Sequence, residues 1–200
     1  AITASGTLTV AQANTLDGYT TGVVTATISD TPSTTLASLT GTGNAYTITV
    51  GSTTAAAADL NTIDAATTVS VTATAVTTLT GTAAAANTAY ASSGITGLGN
   101  EAVTLSDTSL TSTVLNTLDG NTTGAVNAAT VLTLTGTVTT INTAYASSGI
   151  SGLGNESVTL TDTSLAADAL NTTNTNTTGT VTVQATTVTG TAGNLVTAYG

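Results

Sequence analysis

The residues best able to do chemistry in this chain are ten carboxylates, and most of them recur with a fixed period. Eight aspartates and two glutamates are the only charged side chains, because Lys, Arg and His are absent. Ca²⁺ prefers several oxygen ligands, which carboxylates and loop carbonyls supply. Six of the carboxylates form pairs with the same separation in sequence and are the calcium candidates: Asp64 and Asp119, Glu101 and Glu156, Asp107 and Asp162.

A structural interpretation of the same carboxylates is favoured. Asp107 and Asp162 stand where a side chain could cap a following helix, and Glu101 and Glu156 stand where a turn closes. The spacing of an EF-hand or of a calcium-binding nonapeptide is missing. The sequence therefore predicts no cofactor, with calcium as the open alternative.

Catalysis lacks its usual parts. The chain has no His, Lys or Cys that could act as a base or a nucleophile, and no close pair of carboxylates is indicated. We therefore predict that the protein is not an enzyme and has no catalytic residue.

An asparagine followed by threonine recurs along the chain. From the second occurrence onward a shorter and a longer step alternate regularly. One buried amide per repeat, bonded to backbone turns, would satisfy its own polar atoms repetitively, so the pattern predicts a structural ladder. Its members are Asn14, Asn61, Asn87, Asn116, Asn142 and Asn171. The alternative is glycan attachment, for which sequons such as those at Asn121, Asn155 and Asn176 qualify.

The segments that carry these residues repeat with the same period as the carboxylates. Residues 136–170 repeat residues 81–115, with identity at 24 of 35 positions. Such a period indicates stacked supersecondary units. We predict one continuous array over residues 1–200, in which each 55-residue unit comprises two half-repeats. The copies are 47–101, 102–156 and a partial 157–200, with 1–46 as a diverged copy.

Each half-repeat is predicted to contain a strand and then a helix. Short β-rich runs occupy 23–29, 45–50, 69–75, 102–106, 125–129, 157–161 and 180–185. A helix is expected at 55–64, and another after Asp107, with Asp107, Thr108 or Ser109 as its cap and Gly120 at its end. Tyr90, Tyr145 and Tyr199 are expected to anchor the rungs with their hydroxyls in solvent.

Strand–helix–strand spacing of this length implies parallel strands. The predicted fold is therefore an α/β solenoid of stacked strand–helix rungs with a parallel sheet, similar to leucine-rich repeats. An all-β solenoid is the alternative, because threonine forms strands better than helices.

Composition limits the partners. Nucleic-acid binding depends on Lys and Arg neutralising phosphates, and the chain has neither, with a net charge of -10. No apolar run approaches the ~18 residues of a membrane span. Disulfides are excluded because there is no Cys. The 57 threonines suit a secreted surface protein.

Thr-x-Thr pairs form a further motif. They occur at Thr25, Thr47, Thr72 and Thr159, each with a second threonine two residues on. Outward rows of threonine on a sheet could order water, as ice-binding solenoids do. Ordinary strand propensity is the alternative, and the corresponding positions at Thr104 and Ser106 and at Asn127 and Ala129 interrupt the row.

The motif NTAYASSGITGLGNEAVTLSDTSL, followed by LNTLDGNTTGAVNA, resembles the tandem repeats of very large, threonine-rich cell-surface proteins of cyanobacteria. The resemblance covers about residues 45–200, and 1–44 as a diverged copy. Members of that group are variously described as hemolysin-type, calcium-binding or motility-associated. No catalytic residue comes with the resemblance, and the calcium nonapeptide of such families is absent here.

The expected function is an extracellular structural repeat protein that self-associates into a filament, sheath or surface layer at the cell surface. The alternative is a calcium-dependent adhesin or an ice- or ligand-binding solenoid. Glycans remain an open partner.

Overall fold

The structure is a computed structural model that describes residues 1–199. The chain forms two compact units, with the boundary between Val103 and Thr104. This boundary lies close to the predicted junction of the copies 47–101 and 102–156. That the whole chain is one continuous array stays a prediction.

Strands and helices alternate through both units. The first unit contains β1 (Ile2–Leu8), α1 (Val10–Gly18), β2 (Val24–Ile28), α2 (Ser33–Leu36), β3 (Ala45–Thr47), β4 (Thr54–Ala56), α3 (Ala57–Ala66), β5 (Val71–Thr72), β6 (Thr78–Gly81), α4 (Ala83–Ala91) and β7 (Ile95–Thr96). At the boundary lies β8 (Ala102–Leu105). The second unit contains β9 (Ser109–Thr111), α5 (Ser112–Asn121), β10 (Val126–Asn127), β11 (Thr133–Gly136), α6 (Val138–Ala146), β12 (Ile150–Ser151), β13 (Ser157–Leu160), β14 (Ser164–Ala166), α7 (Ala167–Asn176), β15 (Val181–Val183), β16 (Thr187–Thr189) and α8 (Ala192–Tyr199).

The strands of the first unit pair in parallel. β1, β2 and β3 form one sheet in that order. Farther along, β4 pairs with β6 and β5 with β7. A helix lies between the members of each of these two pairs, as a parallel connection requires. Thr82 caps α4 by accepting the N–H of Ala85.

The second unit contains the longest regular ladder within either unit. β9, β11, β13 and β15 lie side by side in that order and are all parallel. β10 pairs with β12, and β14 with β16. The helices pack on their neighbours in chain order, α5 on α6, α6 on α7 and α7 on α8.

Each unit buries a narrow apolar core between its strands and helices. In the first unit Leu60 and Ile63 of α3 and Leu79 of β6 are fully buried. Leu134 of β11 and Ile141 of α6 play the same part in the second. Burying a side chain of this size contributes about 1.5–3 kcal/mol.

The 55-residue period holds for the bounds of the elements. Adding 55 to the bounds of α4, β7 and β8 gives those of α6, β12 and β13. The same step relates α3 to α5 and α5 to α7. The sequence identity therefore reflects a repeated local structure.

The alternating α/β architecture with parallel strands is confirmed. The all-β alternative is wrong, because residues 1–199 contain eight helices. The helix expected after Asp107 begins later than predicted, at Ser112, since 109–111 form β9 and Thr111 provides the cap. Gly120 lies inside that helix rather than ending it. The helix expected at 55–64 is observed as α3, two residues farther on.

Candidate functional site

The asparagine ladder joins successive helices. The Asn116 side-chain nitrogen Nδ2 donates to the carbonyl oxygen of Thr140, at 2.9 Å, and that carbonyl lies two residues before the next ladder asparagine. The same contact recurs through the chain: Asn61 to Ala85, Asn142 to Ala169, and Asn171 to Asn194. Asn14 likewise donates to Ser38, just after α2. Asn87 occupies the corresponding position of α4 and is half-buried. The acceptors lie mostly within helices, whereas the sequence suggested turns.

The side-chain amide oxygens of the ladder asparagines differ in whether they accept a hydrogen bond. Asn142 Oδ1 accepts the hydroxyl of Thr173 at 2.8 Å, and Asn14 Oδ1 accepts the N–H of Thr40 at 3.1 Å. Asn61 Oδ1 and Asn116 Oδ1, which lie one full repeat apart, are buried and accept no hydrogen bond from residues 1–199. An unpaired buried acceptor costs free energy, so the ladder holds the helices in register without being fully satisfied.

Two of the calcium candidates hold the following loop. Asp64 Oδ2 accepts the hydroxyl of Ser92 at 2.6 Å, and Asp119 Oδ2 accepts that of Ser147 at 2.7 Å. The nearby glycine, Gly149 in the case of Asp119, lets the carboxylate approach so closely that an added Cβ would overlap it. Each contact joins residues 28 positions apart in the sequence and ties one half-repeat to the next.

The two glutamates are buried acceptors of the Gly-rich loop. Glu156, only 1% exposed, accepts the N–H groups of Gly154 and Asn155 on Oε2, at 2.9 and 3.2 Å. The hydroxyl of Tyr145 donates to its Oε1. Glu101 accepts the equivalent groups, the N–H of Gly99 and of Asn100 and the hydroxyl of Tyr90, all on its Oε2. Gly99 and Gly154 have φ of +135° and +126°, which other residues rarely adopt.

The prediction that the tyrosine hydroxyls lie in solvent is wrong for two of the three tyrosines. Those of Tyr90 and Tyr145 point at buried carboxylates and not into solvent. Burial raises the pKa of Tyr145 well above its usual range, and the hydrogen bond to Glu156 and the negative charge of that carboxylate raise it further. Tyr199 is 75% exposed.

Asp162 caps a helix, but not the one that follows it. Its Oδ2 accepts the N–H of Val138, the first residue of α6, at 2.7 Å. Asp30 makes the same contact with Val10 at the start of α1. Asp107 is half-buried in the corresponding loop between β8 and β9. A contact that reaches back by about a whole half-repeat was not readable from local spacing, which pointed to the following helix.

The candidates do not converge on a metal site. Among residues 1–199 no three Asp or Glu side chains lie together in a way that could hold an ion. Asp64, Asp119, Glu156 and Asp162 already accept hydrogen bonds from the protein. What this arrangement can do chemically is to fix one half-repeat against the next.

Sequence reasoning missed the partners of these carboxylates. Ser92 and Ser147, Gly94 and Gly149 all belong to the recurring block ASSGI. The available signal was the constant separation between each aspartate and this block, which is the same for Asp64 with Ser92 as for Asp119 with Ser147.

Comparisons with protein-family models, with curated proteins and with solved structures each give no match.

Proposed function

We propose that this chain is an extracellular structural repeat protein, whose strand–helix units continue as an α/β solenoid and assemble into a filament, sheath or surface layer. One observation carries the proposal: the hydrogen bond by which a ladder asparagine reaches the next helix recurs at Asn61, Asn116, Asn142 and Asn171. Such a contact joins one unit to a like unit, and α8 exposes apolar residues for a contact of the same kind. α6 buries Val138, Ile141 and Ala144, whereas α8 buries no residue. Val196 and Tyr199 of α8 are 71% and 75% exposed.

The face of α1 is uncovered in the same way. A cavity of about 370 Å³ opens on it, lined by Leu8, Ala11, Gln12, Thr15 and Leu16. Gln12 precedes the ladder residue Asn14 by two positions, which is the position whose carbonyl accepts the ladder bond elsewhere. An apolar face of this kind invites a like repeat, and repeat arrays gain their stability from such neighbours. A contact between the α8 face of one copy and the α1 face of the next would be head-to-tail and open-ended.

The internal contacts support a structural role. The ladder asparagines and the carboxylates that hold loops and helix ends are engaged within the protein, so they join repeats rather than present a reactive centre. The chain has no His, Lys, Arg or Cys, which favours a non-enzymatic role. Among residues 1–199 no helix is long and apolar enough to cross a membrane. The resemblance to threonine-rich surface proteins supports a location outside the cell.

The test measures self-association of the 200-residue chain. Light scattering across rising protein concentration and negative-stain electron microscopy, each with and without EDTA, should show assemblies that persist in EDTA. Val196→Asp should weaken association because it places a charge on the uncovered face. Leu132→Asp is the matched control, since Leu132 is also exposed, at 61%, but lies in the loop before β11.

Three results would overturn the proposal. The chain could remain monomeric at high concentration, or Val196→Asp could assemble as well as Leu132→Asp. Assemblies that dissolve in EDTA would instead favour the calcium-dependent adhesin.

A further inference from the structure

We propose that the outward face of the sheet β9–β11–β13–β15 is an ice-binding surface. This sheet lies within the second unit, and ice binding by its outward face requires no assembly of the chain. The register of the four strands is uninterrupted from one strand to the next.

The first row of this face consists of threonine alone. Thr135 of β11 pairs with Thr111 on one side and with Thr159 on the other, and Thr159 pairs with Thr182. The residue preceding each of them points inward: Leu110, Leu134 and Val158 are buried, and Val181 is half-buried. Because side chains alternate between the faces of a strand, the four threonines share the outward face.

A second row lies two residues earlier on each strand. Thr133 pairs with Ser109 and with Ser157, and Thr180 is brought beside Ser157 by the hydrogen bond from the Val158 N–H to its carbonyl. All four carry hydroxyls. We call the two rows together the hydroxyl grid. Strand propensity alone does not require a hydroxyl at all eight positions, because valine, which is also β-branched, would serve as well.

The hydroxyls of the grid are available to a ligand. In the part of the chain that the structure describes, those of Thr133, Thr135, Thr159 and Thr182 form no hydrogen bond with the protein. Thr111 accepts the N–H of Val114 at 3.4 Å and keeps its own proton to donate.

Threonines elsewhere are used internally. The hydroxyls of Thr117 and Thr143 bond the carbonyl four residues earlier in their helices. Those of Thr130 and Thr178 bond carbonyls of the preceding half-repeat. The grid is therefore a distinct use of threonine in this chain.

The spacing and chemistry of the grid select the ligand. Adjacent strands lie about 4.8 Å apart, and alternate residues along a strand about 6.6 Å apart, so the hydroxyls form a rectangular mesh. Water oxygens on the prism faces of hexagonal ice form a mesh of closely similar dimensions. The grid has no carboxylate to bind a mineral cation and no aromatic ring on which a sugar could stack.

The sheet of the first unit lacks this regularity. The register of β1 against β2 shifts between Thr3 and Thr7, and Ala45 interrupts the row at Thr25. Asn127, which interrupted the row predicted from the sequence, lies on β10 and outside the grid. Of the Thr-x-Thr pairs noted in the sequence, the grid includes only Thr159, because Thr25, Thr47 and Thr72 lie on strands of other sheets.

The test is thermal hysteresis and inhibition of ice recrystallisation by the 200-residue chain. We expect both activities in the wild-type protein and their loss in Thr135→Lys/Thr159→Lys, whose side chains project from the grid. The matched control is Thr117→Lys/Thr143→Lys, which makes the same change of charge on exposed helix positions and should keep the activity. Circular dichroism and thermal melting establish that each variant is folded.

A second grid variant, Thr135→Val/Thr159→Val, keeps the shape and strand propensity and removes only hydroxyls; we expect it to lower the activity. Absence of hysteresis in the wild-type protein, or equal loss in the grid and helix variants, would overturn the proposal. Pull-down by crystalline chitin or cellulose that the grid variants abolish, without ice activity, would overturn it in favour of a polysaccharide.

Discussion

Single side chains in this protein accept several hydrogen bonds at once, and the buried glutamates are the clearest example. Glu156 satisfies three donors at once: the Tyr145 hydroxyl and the N–H groups of Gly154 and Asn155. No cationic side chain compensates its charge, because the chain has no Lys, Arg or His. Its stability in the core therefore rests on hydrogen bonds alone.

Replacing Glu156 by Leu should destabilise the fold markedly. Each buried donor left without an acceptor costs about 1–3 kcal/mol, so the loss should exceed that of Glu156→Gln, which keeps one oxygen acceptor. Urea unfolding would measure both. Asp168→Asn, at an exposed position of α7, is the control and should change the free energy of unfolding little. Equal stability of the Leu and Gln variants would contradict this account.

The tyrosine that faces this carboxylate predicts how stability depends on pH. The pKa of Tyr145 is raised in the folded state, by burial first and then by Glu156. A raised folded-state pKa gives stability that is fully present below the unfolded value, about 10, and is lost as the pH rises above it. The melting temperature should therefore fall above about pH 10.

Tyr145→Phe should flatten this alkaline decline, although its melting temperature at neutral pH will be lower because a hydrogen bond is lost. Some decline should remain, since burial and then the charge of Asp17 also raise the pKa of Tyr46. Melting curves recorded between neutral and strongly alkaline pH provide the measurement. An unchanged slope in Tyr145→Phe would show that another group governs the decline.

Helices and loops meet through small residues. Two glycines, Gly149 and Gly120, distinguish a position of close packing from a position with free space. An added Cβ at Gly149 would overlap the Asp119 carboxylate, whereas at Gly120 of α5 it would meet nothing within 4 Å. Gly149→Ala should therefore destabilise by about 1–3 kcal/mol, as overpacking does. Gly120→Ala should stabilise by about 0.5–1 kcal/mol, because alanine suits a helix better. Chemical denaturation of the two variants tests both signs, and a neutral Gly149→Ala would refute the close packing.

The helices and strands could be predicted from the sequence only in part. Periodicity predicted strands and helices in the right order, and it placed α3 within two residues. It located seven of the sixteen strands that the structure describes and missed the other nine. Two of those, β9 and β14, have only three residues each, which are too few to show alternation. It also assigned Asp162 to the wrong helix, since local spacing holds no information about a partner 24 residues earlier. The Tyr145–Glu156 contact was missed for the same reason, because a glycine-rich loop separates its members.

Across the whole molecule, every charged side chain is negative. A net charge of -10 with no Lys, Arg or His means that charged side chains repel one another. Screening extends to about 8 Å at 0.15 M salt, so the melting temperature should rise with NaCl. Asp59→Asn/Asp168→Asn, which removes one half-buried and one exposed charge, should show a shallower rise.

Calorimetry across NaCl and CaCl2 concentrations provides the measurement. A melting temperature that ignores both salts would remove the electrostatic argument. A sharp rise at micromolar calcium alone would point to an ion site instead.

The two half-repeats are not interchangeable, and this has a genetic consequence. Ladder bonds from Asn61 and Asn116 reach forward 24 residues, whereas that from Asn142 reaches 27. Gain or loss of a whole 55-residue unit by unequal recombination would restore each junction and change only the length. Loss of a half-repeat would bring together two halves of the same type, whose strands and asparagines no longer match. Genes for such repeats should therefore differ between strains by whole 55-residue units. The length of the protein can then change by mutation while each repeat keeps its fold.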